Sequence, residues 1–334
     1  MKIVITECDH DAFEQELEAA AAAGVELVVC QSRSTEELIA NAQGADGLVV
    51  QYARIDGAVL DALPTVRAVG RYGVGVDTID LAAATERGVV VCNVPDYGTE
   101  AVSDHAIALA LGSVREVARL DRAVRAGDFD FPSVRPLHLV RGRTFGVIGL
   151  GRIGRATADK ARGLGFEVLY HDPLGPGMSG GRYACVGLQE LLMRSSVVSI
   201  HVPLTEVTRH LIGADEFALM RPDAVLVNTA RGGVIDTEAL VDALRTGTIR
   251  AAALDVTEVE PLPRQHELLS FPQVTVTPHM AWYSEESYGE LKRRTVENVA
   301  RILTGAEPRN VVNSAVLDVP HQASRVSSGH AGDE

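Results

Sequence analysis

The stretch GVIGLGRIGRATADKARGLGFEVLYHDP, residues 146–173, decides the fold. An apolar run over residues 144–149 leads into Gly149, Gly151 and Gly154, spaced Gly-x-Gly-x-x-Gly. An Ala-rich helical segment follows, with Gly165 at a C-cap position, and then a second β-rich run that ends on Asp172. A bare Gly-x-Gly-x-x-Gly says little in a chain with 31 glycines. The order strand, glycine turn, helix, strand, acid is what carries meaning. The first glycine permits a tight turn, the second lets a pyrophosphate approach the backbone, and the third lets the helix pack close to the strand. The phosphates then sit at the helix N-terminus. A carboxylate at Asp172 would accept hydrogen bonds from the ribose hydroxyls and repel a 2′-phosphate, which predicts NAD rather than NADP. The plainer alternative is an Asp in an ordinary strand-to-loop turn.

Working outward, strand-like and helix-like segments alternate from the first residue, the pattern of parallel sheets with crossover helices. KIVIT, VELVVC, GLVV, VRAVGRY and VVVCNV predict a five-stranded sheet ahead of the fingerprint. TFGVIGL, FEVLYHD, VVSIHVP, AVLVNTA, AAALDV and QVTVTP predict six strands of a doubly wound nucleotide-binding sheet. Residues 99–128 have helical periodicity and no proline, which predicts one long helix serving as a connector or subunit interface. After the helical EESYGELKRRTVENVARILTG only the short NVVN remains, so the chain is expected to return to the first domain. With 334 residues, more than one core usually serves. The predicted fold class is α/β with two doubly wound parallel-sheet domains: residues 1–98 with 286–318, and residues 99–285. The polar tail 319–334 is expected to be disordered.

Composition narrows the function. Apolar residues make up 46% and aromatics 4%, which suits a soluble α/β enzyme. A net charge of −14 repels phosphate backbones and anionic headgroups, arguing against nucleic acid or a membrane as partner. The opening MKIVITECDHDAFEQE lacks the apolar core of a signal peptide, and no apolar stretch reaches membrane-spanning length, so a cytoplasmic protein is expected. Cys8, Cys30, Cys92 and Cys185 are far apart and not clustered with His, which predicts reduced thiols and no metal.

The chemistry is expected beyond the carboxyl ends of the strands. In AVLVNTARGGVID, residues 224–236, Arg231 follows a strand-like run and precedes Gly232 and Gly233, which we read as giving the backbone open space. A guanidinium offers paired donors to a carboxylate. Asp255 closes AAALDV, Glu260 lies in the following loop, and His279 follows VTVTP, so all four should gather at one rim. Hydride transfer to a keto carbon leaves charge on oxygen that needs a proton donor, and histidine is the ordinary choice. A carboxylate at Glu260 on the other ring nitrogen would orient the ring and favour its protonated form. Glu258 and Asp255 are acidic neighbours that could be mistaken for it.

At this point GRYGVGVDTIDLAAATERGVVVCNVP, GLGRIG, HVPLT, NTARGGVID, AALDV and TPHMAWYS resemble, in order, the signature segments of the D-isomer-specific 2-hydroxyacid dehydrogenases. The similarity runs from about residue 45 to about residue 313. The resemblance implies a flavodoxin-like substrate domain, a Rossmann NAD-binding domain, and a homodimer formed through the latter. It implies catalytic roles for Arg231, Glu260 and His279, and backbone amides of Val74 and Gly75 on the substrate carboxylate. Cofactor contacts are implied for Val102, Arg152, Ile153, Asp172, His201, Val202, Pro203, Leu204, Thr229, Ala230 and Asp255. Within the family, PHMAWYSEES and RYGVG look closest to the C-terminal-binding proteins, which would make Arg71 and Trp282 substrate contacts. Ordinary core packing competes as an account of Trp282. Asp104, where the family commonly has Glu, and Val74, often polar in that branch, leave the substrate open. The small-molecule partner is expected to be a 2-oxo or D-2-hydroxy acid. The competing readings are an NAD(H)-sensing peptide-binding module and a dehydrogenase of phosphite or a phosphonate acid.

Overall fold

The computed structural model describes residues 1–129 and 134–318; the disorder expected over 319–334 lies outside them. The chain divides into two compact units, Met1–Tyr97 together with the chain from Gly289 onward, and Gly98–Tyr288.

In the first unit, strands β1 (Lys2–Glu7), β2 (Glu26–Val29), β3 (Gly47–Val50), β4 (Ala68–Arg71) and β5 (Val90–Cys92) form a sheet ordered β2-β1-β3-β4-β5. All its pairs are parallel. Val4, Leu48, Val50, Val69 and Val91 feed one core. Val299, from the helix Glu285–Leu303, covers Gly47 and Gly70, where an added Cβ would come within 2.5 and 2.6 Å of its methyls. Glycine at both positions lets the helix sit directly on the strands. Residues 311–313 then dock on β5: Val312 N donates to Val91 O at 2.8 Å, and Asn313 accepts from Val91 N at 2.8 Å.

The second unit holds β6 (Thr144–Ile148), β7 (Glu167–His171), β8 (Ala184–Cys185), β9 (Val197–Ile200), β10 (Val225–Asn228), β11 (Ala251–Leu254) and β12 (Val274–Val276). Their order is β12-β11-β10-β9-β6-β7-β8, parallel throughout. Phe145, Val147, Val197, Val225, Val227, Ala251 and Ala253 enter one core, while Ile148, Val198, Ile200, Leu226, Ala252 and Leu254 enter the other. With both faces covered, these strands read as unbroken apolar runs. The strand order reverses between β6 and β9, the switch point at which such sheets bind ligands.

Two expectations needed correction. A seventh strand, β8, joins the second sheet; at two residues, Ala184–Cys185, it is too short to show a periodicity. The single long helix over 99–128 is two helices, Thr99–Val114 and Val117–Arg125. Between them Glu116 takes φ 57°, in the left-handed region, and its buried carboxylate accepts from Arg250 Nε at 3.0 Å. A long-range ion pair thus holds the residue at which the helix breaks, where local periodicity would continue it. Among the described residues no helix is long and apolar enough to cross a membrane.

Candidate active site

The glycine turn joins β6 to the helix Arg152–Gly163. Gly149 takes φ +88°, and a Cβ there would lie 2.9 Å from His201 O, because the 201–204 turn crosses directly above it. A Cβ on Gly154 would come within 2.0 Å of Gly149 O, so helix and strand touch through backbone alone. Gly151 has nothing within 4 Å of a Cβ position, leaving its backbone open to approach. Asp172 closes the turn: its Oδ2 accepts from Leu150 N at 2.8 Å and its Oδ1 from Leu174 N at 2.9 Å. No side chain caps the helix, so its first-turn amides, those of Arg152 and Ile153 among them, lack intrahelical partners and suit an anion. Thr229 Oγ1 is enclosed without a hydrogen bond among the described residues. Ala230 is half-buried beside it, and Val102 is buried in the first turn of the helix Thr99–Val114. An open phosphate cradle and an orphaned hydroxyl fit a dinucleotide.

In the turn above Gly149, burial pushes the His201 imidazole down to about 4. Between that value and the ordinary 6.5, the unfolded chain takes up a proton that the folded chain refuses. His201 therefore contributes stability that is complete above about pH 6.5 and lost as pH falls toward 4. The residue is only partly buried, so the effect should be on the order of 2 kcal/mol. Urea midpoints of His201→Asn should fall less steeply than those of the parent over this window; parallel curves would refute the assignment.

The rim after β10, β11 and β12 carries the reactive groups. Asn228 shapes the first loop, donating from Nδ2 to Arg231 O at 2.8 Å and accepting from Ala230 N at 3.0 Å. The Arg231 guanidinium donates to Ala230 O at 2.7 Å. Gly232 does not provide open space. A Cβ there would lie 1.9 Å from Thr257 C and 2.3 Å from Glu258 N, so the Arg231 turn is pressed against the loop that bears Glu260. Gly233 is likewise buried, against Leu204. Asp236 then caps the helix Thr237–Arg245, accepting from Ala239 N at 3.1 Å.

The three acids after β11 separate cleanly. Glu260 Oε2 is 2.7 Å from His279 Nδ1, while its Oε1 accepts from Thr257 N at 2.9 Å. Burial pushes this carboxyl up, but the hydrogen bond and charge of His279, the Thr257 amide and the Arg231 charge outweigh it and hold it below the usual range. It is a carboxylate across the neutral range. Glu258 turns instead to His210, at 2.7 Å. Asp255 is 2% exposed and lies beneath the His279 turn. It accepts from Met280 N at 3.0 Å, Ala281 N at 2.8 Å and the Thr277 hydroxyl at 2.5 Å. His105 Nε2 lies 3.0 Å from that hydroxyl and 3.5 Å from the same carboxylate.

His279 itself adopts φ 54°, uncommon for a residue with a side chain. Its N–H points to Asp255 O at 2.8 Å, and its carbonyl accepts from the Trp282 indole at 3.0 Å. The contacts around the turn thus over-determine a strained backbone, a pattern found where a side chain must be aimed. Trp282 also packs against Tyr283 and Tyr288, with ring centroids 5.7 and 5.9 Å away. Sequence reasoning missed Asn228, Thr277, His105, Glu258 and His210 as contributors. A polar residue closing an apolar strand, as Asn228 does, was the available signal.

Arg71, Val74 and Gly75 belong to the first unit, where they follow one another at the carboxyl end of β4. The Arg71 guanidinium folds over Gly73, where a Cβ would fall 1.5 Å from its Nη1. Val74 is 40% exposed, and its carbonyl accepts from Asn93 Nδ2 at 2.6 Å.

A parallel sheet with a glycine turn at its switch point, and a paired His and Glu at its carboxyl rim, is the arrangement a nucleotide-dependent dehydrogenase needs. Comparison with known proteins gives the family. The model of the D-isomer specific 2-hydroxyacid dehydrogenase NAD binding domain matches residues 107–281. A glyoxylate reductase of Thermofilum pendens is 39% identical over 311 residues, covering 88% of this chain and 90% of that protein. A D-3-phosphoglycerate dehydrogenase of Methanocaldococcus jannaschii is 37% identical over 317 residues, covering 94% of this chain, which spans 59% of the relative's length. Among solved structures, a glyoxylate reductase from Paecilomyes thermophila superposes with a TM-score of 0.84 at 31% identity, covering 93% of this chain and 98% of that one. The chain belongs to the D-isomer-specific 2-hydroxyacid dehydrogenase family, and its cofactor is NAD.

Proposed function

We propose that the protein catalyses reversible, NAD-dependent reduction of a small 2-oxo acid to a D-2-hydroxy acid. The observation that carries this reading is the contact of 2.7 Å between Glu260 and His279, with the Arg231 charge acting on the same carboxylate. Arg231 grips the substrate carboxylate. When bound, the reduced cofactor supplies the hydride that adds to the oxo carbon, leaving an electron pair on its oxygen. His279 donates the proton from Nε2 to that oxygen and takes it back in the reverse direction. Glu260 holds Nδ1, which fixes the ring and faces its protonated form with a carboxylate. Asp255 and the Trp282 indole hold the turn that presents the ring.

The second unit, in this reading, binds NAD through Gly149, Gly151, Gly154 and the residues around them. The first contributes Arg71 and the amides of Val74 and Gly75 to the substrate. The likeness to glyoxylate reductases makes glyoxylate the first acid to test. The segments PHMAWYSEES and RYGVG support membership of the C-terminal-binding-protein-like branch, in which Trp282 would line the substrate pocket. A homodimer is supported by the helix Val117–Arg125, which buries none of its residues and exposes Val117 and Val124, with Phe129 and Leu139 exposed nearby in sequence. Sedimentation at a single-chain mass would remove that assignment.

A panel of 2-oxo acids with NADH, and phosphite with NAD, followed at the nicotinamide absorbance, tests the reaction. Turnover of phosphite alone would replace the 2-oxo acid reading, and silence across the panel combined with NADH-dependent peptide capture would favour a sensor. Glu260→Gln provides a sharper check. It keeps the shape and removes the charge facing the ring, so the fall in oxo-acid reduction at rising pH should begin at lower pH than in the parent. An unmoved profile would leave Glu260 without its assigned role.

A further inference from the structure

A second imidazole–carboxylate pair lies behind the first. His210 Nε2 is 2.7 Å from Glu258 Oε1, and Glu258 Oε2 accepts from the Thr237 hydroxyl at 2.8 Å. Asp236 is the other acid near this ring, at 4.0 Å. His210 takes φ 51°, and its N–H donates to Gly233 O at 2.9 Å. Ile212 N donates to Val234 O at 3.1 Å, and Asp236 N returns a bond to Ile212 O at 3.0 Å. One carboxylate therefore joins three segments: the loop before Ile212, the start of the helix Thr237–Arg245, and the loop that carries Glu260.

The position of Glu258 matters because its peptide is the one against which Gly232 is pressed. The Glu260 loop is closed on itself by Thr257, whose N–H meets Glu260 Oε1 at 2.9 Å and whose hydroxyl donates to Val259 O at 2.9 Å. These bonds make the loop one closed unit, and Glu258 ties that unit to His210 and Thr237. A partly exposed pair of this kind adds little to stability. Its geometry nonetheless links the loop that bears Glu260 to the segments on either side of it.

We propose that His210 and Glu258 form a clasp that positions Arg231 and Glu260 for the reaction; this rests on the roles given above to Arg231, Glu260 and His279. Neither clasp residue touches the reacting atoms in this account. Both are positioning residues.

The test measures kcat, KM, the pH profile and NADH affinity for His210→Ala, Glu258→Ala, His210→Gln and His279→Ala, with 2-oxo acid and NADH. Release of the clasp should lower kcat on the order of tenfold to a hundredfold, the cost of small misplacements at a reacting centre. NADH affinity should stay within about twofold, because the glycine turn is untouched. The fall in rate at high pH should begin at lower pH, as in Glu260→Gln but by less. His210→Gln, whose amide can still donate to Glu258, should recover most of the rate. Unchanged kcat and pH profile in both alanine variants, or losses that track NADH affinity and melting temperature, would overturn the clasp. An active His279→Ala would instead overturn the underlying reading.

Discussion

Loss of the His279 imidazole should lower turnover of the 2-oxo acid by on the order of 10²–10⁴ while leaving NADH binding intact, the range for removing a positioned proton donor. His279→Ala is the direct variant, and His279→Asn is the better controlled one. Residue 279 sits at φ 54°, and Asn tolerates the left-handed region more readily than most residues. The turn held by Asp255 and Trp282 should therefore survive without the ring. NADH fluorescence titration and single-turnover reduction separate binding from chemistry. Trp282 is the one tryptophan in the chain, and its indole donates to His279 O, so its emission reports whether the turn has moved. A rate within tenfold of the parent, with unchanged emission, would mean that another group handles the proton.

Gly232→Ala should be nearly as damaging for a different reason. Its Cβ would be built 1.9 Å from Thr257 C and 2.1 Å from Thr257 O, against backbone that has no rotamer to yield. The Arg231 turn and the Glu260 loop must separate, and misplacement on the scale of 1 Å at such a centre can cost about 10² in kcat/KM. Overpacking should also lower stability by about 1–3 kcal/mol. Gly163→Ala is the control: it ends the helix Arg152–Gly163 with nothing within 4 Å of the added methyl. A Gly232→Ala enzyme that matched this control in kcat/KM would show that the two loops are not coupled through their backbones.

Much of the architecture was legible because it follows from local patterns. Apolar runs of strand length marked five strands of one sheet and six of the other, since parallel strands covered on both faces need apolar residues at consecutive positions. The glycine spacing marked the turn because close backbone approach leaves no room for a side chain at Gly149 and Gly154. β8 was invisible because Ala184–Cys185 is shorter than any pattern could register. The break at Glu116 was hidden for the opposite reason. Helical periodicity continues through it, and the Arg250 that captures its carboxylate lies 134 residues away.

The site divides along the same line. Residue type and order pointed to a guanidinium, an imidazole and a carboxylate at one sheet rim, because the carboxyl ends of parallel strands are where loops can gather. Nothing local distinguishes Asp255, Glu258 and Glu260, three acids within one short loop. Their separation, with Asp255 beneath the His279 turn, Glu258 on His210 and Glu260 on His279, comes from contacts with other segments of the chain. Gly232 teaches the same lesson: read as open space for the backbone, it proved to be the place where two backbones meet. Hydrophobic periodicity and turn chemistry act over a few residues, so they are written into the chain itself. The orientation of a polar side chain depends on which distant segment arrives beside it, and that is settled when the sheet assembles.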